Sequence, residues 1–318
     1  MKPEFASIET TLRCNMMCKH CGVESGPHSK RGNELDTGEM ITLFKDLSDL
    51  GVKRLVLSGG EFTTRGDWQE LLCAAIEGFE MVRQISNGWY GIHLLEMLEL
   101  IPNKERLVLS LSLDGMKPSH DRNRRSKSFE KIISILKADS KIYRTVITTV
   151  TKENFNDLDS LFSMLYALKI PVWSVQLGLP TGYMGKSMFI GNELVDKLAN
   201  MILSWQRKSS GIMEIIPDNC FGYDHPMRRE FPWEGCQAGK KLITILANGD
   251  VTGCPTTFRD VRGNVREEQL SSIWNSKNME NYRKSIPVCE SCSNKKCKGG
   301  CRAVQEIFGR QFCDLTEV

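Results

Sequence analysis

The sequence predicts an α/β fold of six successive βα units, an incomplete barrel or an open parallel sheet, followed by a cysteine-rich tail. Three observations predict it. From Phe5 to about Gly211, short β-branched apolar runs alternate with amphipathic stretches long enough for helices. After Gly211 the alternation stops, and Pro217, Asp218, Pro226, Pro232 and Gly235 interrupt any long element. The twelve cysteines crowd toward the two ends, three between Cys14 and Cys21 and seven between Cys236 and Val318, with only Cys73 and Cys220 apart. The expected organisation is therefore a first domain over residues 1–211 and a second over 212–318.

Each element follows from its local pattern. Strands are expected over Phe5 to Leu12, Lys53 to Leu57, Met81 to Ser86, Leu107 to Leu113, Tyr143 to Val150 and Val172 to Leu177. Helices are expected between them, over Thr37 to Leu50, Asp67 to Gly78, Ile92 to Leu100, Ser128 to Ala138, Asn154 to Leu168 and Asn192 to Arg207. Asp67 and Asn154 stand where helix-capping residues belong. Sites in such parallel folds gather at the carboxyl ends of the strands. In the tail, Leu242 to Leu246, the turn Ala247-Asn248-Gly249-Asp250, and Val251 to Gly253 read as a β-hairpin, with a short helix near Leu270 to Asn275.

Composition narrows the class. The chain has 318 residues, 41% of them hydrophobic and 25% charged, so it is neither disordered nor low-complexity and can bury a sizeable core. A net charge of +3 is too balanced to announce a nucleic-acid or membrane-surface partner. No apolar run reaches the roughly 18 residues of a membrane span, and Met1-Lys2-Pro3-Glu4 leads straight into a strand with no signal-peptide core. A cytoplasmic location is expected, and in a reducing compartment clustered thiols are metal ligands far more often than disulfides.

Cys14-Asn15-Met16-Met17-Cys18-Lys19-His20-Cys21 follows the first strand. Three local thiolates leave one iron of a cubane [4Fe-4S] cluster without a protein ligand, and an open position marks a catalytic metal site. The competing readings are a zinc site or buried thiols. C-x3-C-x2-C in this place resembles the signature of the radical S-adenosylmethionine (radical SAM) enzymes. That resemblance implies a partial (β/α)6 TIM-type barrel in which the open iron chelates the methionine moiety. It also implies reductive cleavage to a 5'-deoxyadenosyl radical, which abstracts a hydrogen atom from a substrate C–H. His20 holds the position before the third cysteine, near the adenine. Gly59-Gly60-Glu61 is similar to the family's GGE motif, which holds the methionine ammonium; Phe62 replaces the usual proline that follows. Asn87, Ser112 and Asp114, at the ends of strands three and four, match positions near the ribose. His120-Asp121-Arg122-Asn123-Arg124 resembles an HDxxR segment whose arginine, here Arg124, binds the methionine carboxylate. Leu177, ending strand six, matches a residue packing on the adenine.

The late cysteines are Cys236 and Cys254, then Cys289, Cys292, Cys297 and Cys301 as C-x2-C-x4-C-x3-C, then Cys313. A zinc ribbon competes for the C-x2-C-x4-C-x3-C run. The seven-cysteine order, with the hairpin ending in Cys254-Pro255 and with Gly263-Asn264-Val265-Arg266, resembles the small cysteine-rich SPASM domain that follows many radical SAM barrels. The resemblance implies two auxiliary [4Fe-4S] clusters, three in all, with Cys236, Cys254 and Cys301 on the first and Cys289, Cys292, Cys297 and Cys313 on the second. Cys220 is the spare thiol nearest the first of these in sequence, and is a fourth ligand, a hydrogen-atom donor to a substrate radical, or an inert thiol. Cys73, among Leu71, Leu72 and Ile76, reads as core.

SPASM enzymes mostly modify peptides by crosslinking, oxidation or epimerisation, and a minority act on small molecules. Pro255 stands where sulfatase-oxidising relatives carry a general-base Asp, which disfavours that reaction. No leader-recognition domain is expected before Phe5, so a peptide substrate is expected to need a separate recognition protein or to bind without one. Modification of a ribosomal peptide is the favoured expectation, with a dehydrogenase or epimerase of a sugar or aminoglycoside as the alternative. Either requires S-adenosylmethionine and an external reductant such as flavodoxin or ferredoxin.

Overall fold

Four of the five residues of β1 (Phe5–Glu9) are buried, and the strand has a parallel neighbour on each side. The run that opens the chain is therefore a central strand, buried on both faces even at Ser7 and Glu9. The structure is a computed structural model, and it describes residues 1–221, 234–284 and 299–309. From β1 the chain alternates through α1 (Thr37–Leu50), β2 (Arg54–Ser58), α2 (Trp68–Gly78), β3 (Met81–Ser86), α3 (Ile92–Glu99) and β4 (Leu107–Ser112). It continues through α4 (Lys117–Asn123), α5 (Ser128–Lys137), β5 (Tyr143–Val150), α6 (Leu158–Ala167), β6 (Val172–Leu177) and α7 (Gly191–Ser209). Every strand from β1 to β6 pairs in parallel with the next. The order never reverses, as in a (β/α) barrel and unlike a doubly wound sheet.

The six βα units are those expected. Asp36 and Glu39 close a capping box at the start of α1, and Gly51 ends it in the left-handed conformation. β1 stops at Glu9, short of Leu12, because Glu34 draws the chain out of the ladder. The Leu12 amide donates to Glu34 Oε1 at 2.9 Å and the Thr11 hydroxyl to Oε2 at 2.7 Å. Asn154 does not cap α6. Its side chain accepts from the Thr151 amide at 2.8 Å, and the turn Phe155–Asp157 intervenes.

The residues after 211 supply strands to both edges of this sheet. β7 (Glu214–Pro217) pairs with β6, and β8 (Leu242–Ile245) pairs in parallel with β1. The expected hairpin forms from β8 and β9 (Asp250–Thr252), and β10 (Gly263–Asn264) extends it. Helices α8 (Leu270–Asn275), α9 (Lys277–Arg283) and α10 (Arg302–Phe308) follow; α8 was expected, whereas β7, α4, α9 and α10 were not. Arg266 ties the hairpin to α1, donating to the Glu39 carboxylate and to the Asn33 and Glu34 carbonyls. Behind β5 and β6, Phe162, Trp173 and Trp205 stack, with Phe162 and Trp205 5.7 Å apart, and Trp173 donates to Thr148 and Trp205 to Asp159. Among the described residues no helix is long and apolar enough to cross a membrane.

Candidate functional site

Parallel strands end on the same face, so the loops that follow them meet. Cys14, Cys18, His20 and Cys21 after β1, Gly59 and Gly60 after β2, Asn87 after β3, Ser112 at the end of β4, Thr149 near the end of β5 and Arg124 beyond α4 border one cavity of about 190 Å³. Among the described residues no three His, Cys, Asp or Glu side chains close on a single point. The three thiols border the cavity instead. Amides point at two of the sulfurs: Met16 at Cys14 (3.4 Å) and Ser25 at Cys21 (3.3 Å). The Asn87 side-chain amide reaches Cys14 Sγ at 3.6 Å, and Arg124 Nη1 lies 4.0 Å from Cys18 Sγ. Burial pushes the Cys14 thiol up to about 12 and the Cys18 thiol to about 11, with Arg124 opposing the shift at Cys18.

Gly59 and Gly60 are required by close approach. The amides of Gly60 and Glu61 donate to the carbonyls of Thr11 and Arg13 at 2.7 and 2.9 Å. A Cβ on Gly60 would stand 2.1 Å from the Arg13 oxygen, and Gly59, at φ 113°, would place one 2.5 Å from the Thr11 oxygen. The loop after β2 thus lies flat on the loop that carries Cys14.

Of the nine side chains or glycines expected against the cosubstrate, His20, Gly59, Gly60, Asn87, Ser112 and Arg124 border the cavity. Glu61, Asp114 and Leu177 lie outside that lining. Glu61 is sealed in, 1% exposed, and accepts from the Asn87 amide (2.8 Å), the Thr63 hydroxyl (2.7 Å) and the Ser86 hydroxyl. Burial pushes its pKa up, and these donors pull against the shift. Its carboxylate holds the end of β3 against the loop after β2, so that Asn87 meets Cys14. Leu177 is core, and its amide donates to Asp218.

Asp114 has no exposed surface and holds two of the cavity's side chains from behind. Arg124 donates to both of its oxygens, through Nε and through Nη2 at 3.2 Å, and His20 Nε2 lies 3.1 Å from Oδ2. The Thr149 amide donates to Oδ1 at 3.0 Å. Burial alone would raise the Asp114 pKa, but Arg124 and His20 hold it well below the carboxylate range. Nη1 of Arg124 remains at the cavity wall beside Cys18, while Nδ1 of His20 is buried without a partner among the described residues. His120, packed beneath, accepts from the Asp114 amide at 3.2 Å, and burial pushes its pKa down to about 4, so it is neutral. Sequence reasoning missed Thr149, Met16 and Val23 in the lining; no pattern marks them except their place at strand ends and beside the cysteines.

The second group of thiols assembles in the tail. Cys220 and Cys301 share a hydrogen bond at 3.5 Å; that bond and burial push the Cys220 pKa up, while the bond pulls the Cys301 pKa down against its own burial. Burial, and then the neighbouring Cys301, pushes Cys236 up and Cys254 up to about 12. Four thiols therefore share one buried neighbourhood. Tyr282 closes it, lying so close that a Cβ on Gly253 would stand 2.0 Å from its ring. Cys289, Cys292, Cys297 and Cys313 lie outside the described residues. Cys73 packs half-buried against the core.

Three thiols, two of them with amides aimed at their sulfurs and the third beside a guanidinium, together with a glycine cradle and an unpartnered imidazole nitrogen, fit a metal–sulfur cluster with a position kept for a bound cosubstrate. Fold and site together define a barrel iron–sulfur protein. A radical SAM superfamily model matches residues 8–165, and a model of the SPASM iron-sulfur cluster-binding domain matches residues 236–298. The chain belongs to the radical SAM superfamily and carries a SPASM domain, so S-adenosylmethionine and iron–sulfur clusters are its cofactors. Among curated proteins it is similar to an AdoMet-dependent heme synthase of Nitratidesulfovibrio vulgaris, 26% identical over 93% of this chain and 86% of the relative. It is also similar to the PqqA peptide cyclase of Rhizobium meliloti, 29% identical over 95% of this chain and 83% of the relative. The Bacillus subtilis subtilosin biosynthesis protein AlbA is 26% identical over 94% of this chain and 67% of the relative. Streptococcus suis SuiB bound to S-adenosylmethionine shares the fold, with a TM-score of 0.77 at 18% identity over 95% of this chain and 73% of that one.

Proposed function

We propose that this enzyme abstracts a hydrogen atom from a C–H bond of a ribosomal peptide and so modifies it by crosslinking, oxidation or epimerisation. The observation that carries the reading is the single cavity where Cys14, Cys18 and Cys21 meet the glycine cradle and Arg124. When bound there, a [4Fe-4S] cluster and S-adenosylmethionine would supply the one-electron chemistry. Cys14, Cys18 and Cys21 would hold the cluster. Arg124 Nη1 would take the methionine carboxylate, with Asp114 fixing the guanidinium; the Gly59-Gly60 backbone would take the ammonium, with Glu61 holding that loop in place. Asn87 and Ser112 offer polar groups to the ribose, and His20 Nδ1 offers one to the base.

Among the relatives, the names PqqA peptide cyclase, subtilosin biosynthesis protein and mycofactocin maturase favour a peptide. The heme synthases favour a second reading, a small-molecule substrate. Anaerobic protein given dithionite and S-adenosylmethionine should form 5'-deoxyadenosine. With a short peptide encoded beside its gene it should also change that peptide's mass. Consumption of a small molecule with the peptide mass unmoved would favour the second reading.

The proposal includes three [4Fe-4S] clusters, with Cys220 as the fourth ligand of the one held by Cys236, Cys254 and Cys301. Its support is the 3.5 Å separation of Cys220 and Cys301. A closed cluster suits electron transfer, taking the electron left after hydrogen abstraction. Cys220→Ser should then lose about four irons per chain or alter one cluster's spectrum. Intact clusters with continued 5'-deoxyadenosine formation but no product would make Cys220 a hydrogen-atom donor, and full activity with all its iron would remove both roles.

A further inference from the structure

A cationic surface adjoins the Cys14–Cys21 loop. Lys19, Arg125 and Lys127 are exposed and Lys131 is half-buried. Trp89 lies between two of them, 3.7 Å from Arg125 and 4.5 Å from Lys131, and Arg125 Nη1 donates to the Asn15 carbonyl at 2.6 Å. The carboxylates nearby are engaged elsewhere. Asp121 accepts from the amides of Lys127 and Phe129, Glu130 faces Lys117, and Glu153 faces Arg122 at 3.6 Å. Among the described residues, none of Lys19, Arg125, Lys127 and Lys131 has an ion-pair partner. Met17, 66% exposed, and Tyr90, 40% exposed, add apolar contact area in the neighbouring loops.

The surface also leads to the first cysteine. The Trp89 amide donates to Asn87 Oδ1 at 2.9 Å, and the Asn87 amide group reaches Cys14 Sγ at 3.6 Å and Asn15 Oδ1 at 2.8 Å. One side chain therefore separates the surface from a cluster ligand.

We propose that this surface docks an acidic one-electron donor protein, a reading that rests on the function proposed above. One electron leaves the partner's redox centre, which is oxidised by one, and reaches the metal centre behind Cys14, which is reduced by one. Opposite charge steers the encounter, and salt weakens it. A substrate-binding role for the same surface is the competing outcome.

The test is the Lys127→Glu, Lys131→Glu double variant of the cluster-loaded enzyme, with an acidic flavodoxin as the probe. At low salt, flavodoxin-driven 5'-deoxyadenosine formation should fall about tenfold, and the difference should shrink at high salt. The dithionite-driven rate should stay at the wild-type level. Calorimetric titration of oxidised flavodoxin should show the same weakening, and it decides the matter even where no cosubstrate is cleaved. Unchanged flavodoxin binding overturns the proposal, as does an equal loss with both reductants or a raised KM for substrate with an unchanged flavodoxin-driven rate.

Discussion

Replacing Cys14, Cys18 and Cys21 together by Ala should abolish reductive cleavage of S-adenosylmethionine and leave about eight of roughly twelve irons per chain. The two effects have one cause. These thiols border the cavity that also presents Arg124 and the Gly59-Gly60 backbone, whereas Cys236, Cys254, Cys301 and Cys220 gather in the tail. Losing the first set should leave the second loaded. Iron, sulfide and 5'-deoxyadenosine, measured on anaerobic protein, check the expectation. Stoichiometric zinc with little sulfide in the unaltered protein would defeat it, because a zinc site performs no reductive cleavage. Loss of all iron in the variant would show instead that the sites load cooperatively.

The cavity was legible in outline because its parts sit on local signals. The cysteine spacing, the paired glycines and the ends of alternating apolar runs are all short-range features, and β3, β5, β6 and α1 appear with the bounds their patterns predict. What was not legible is long-range pairing. Nothing in the sequence says that Asp114 turns its carboxylate toward Arg124 and His20, or that Glu61 turns toward Asn87, because those partners are chosen by the packing of strand ends. Helix α4 escaped notice for a related reason: its seven residues include Pro118 and mix charged with polar side chains, so no apolar period marks it. β7 lies past Gly211, where the alternation stops, and ends on Pro217; it pairs with the edge that β6 leaves open. Tertiary context overrode local propensity in both cases.

The same buried pairing gives the second large effect. Asp114→Ala should lower stability by roughly 3 to 5 kcal/mol, since removing one partner of a buried ion pair leaves the other charge uncompensated. Arg124 is 11% exposed at its side chain and Asp114 fully buried, so water cannot replace the lost carboxylate. At roughly 2 to 4 °C per kcal/mol, the melting temperature should fall by about 6 to 20 °C. Asp114→Ala with Arg124→Met should recover part of that loss, because removing both charges spares the desolvation penalty that removing one imposes. Linkage fixes the sign of the pH dependence. The folded pKa of Asp114 lies well below the ordinary 3.8, so its contribution is present above that value and is lost as pH falls beneath it. Asp114→Asn should therefore flatten the acid limb of the stability profile. A melting temperature within 2 °C of the unaltered protein would mean that Arg124 finds another anion.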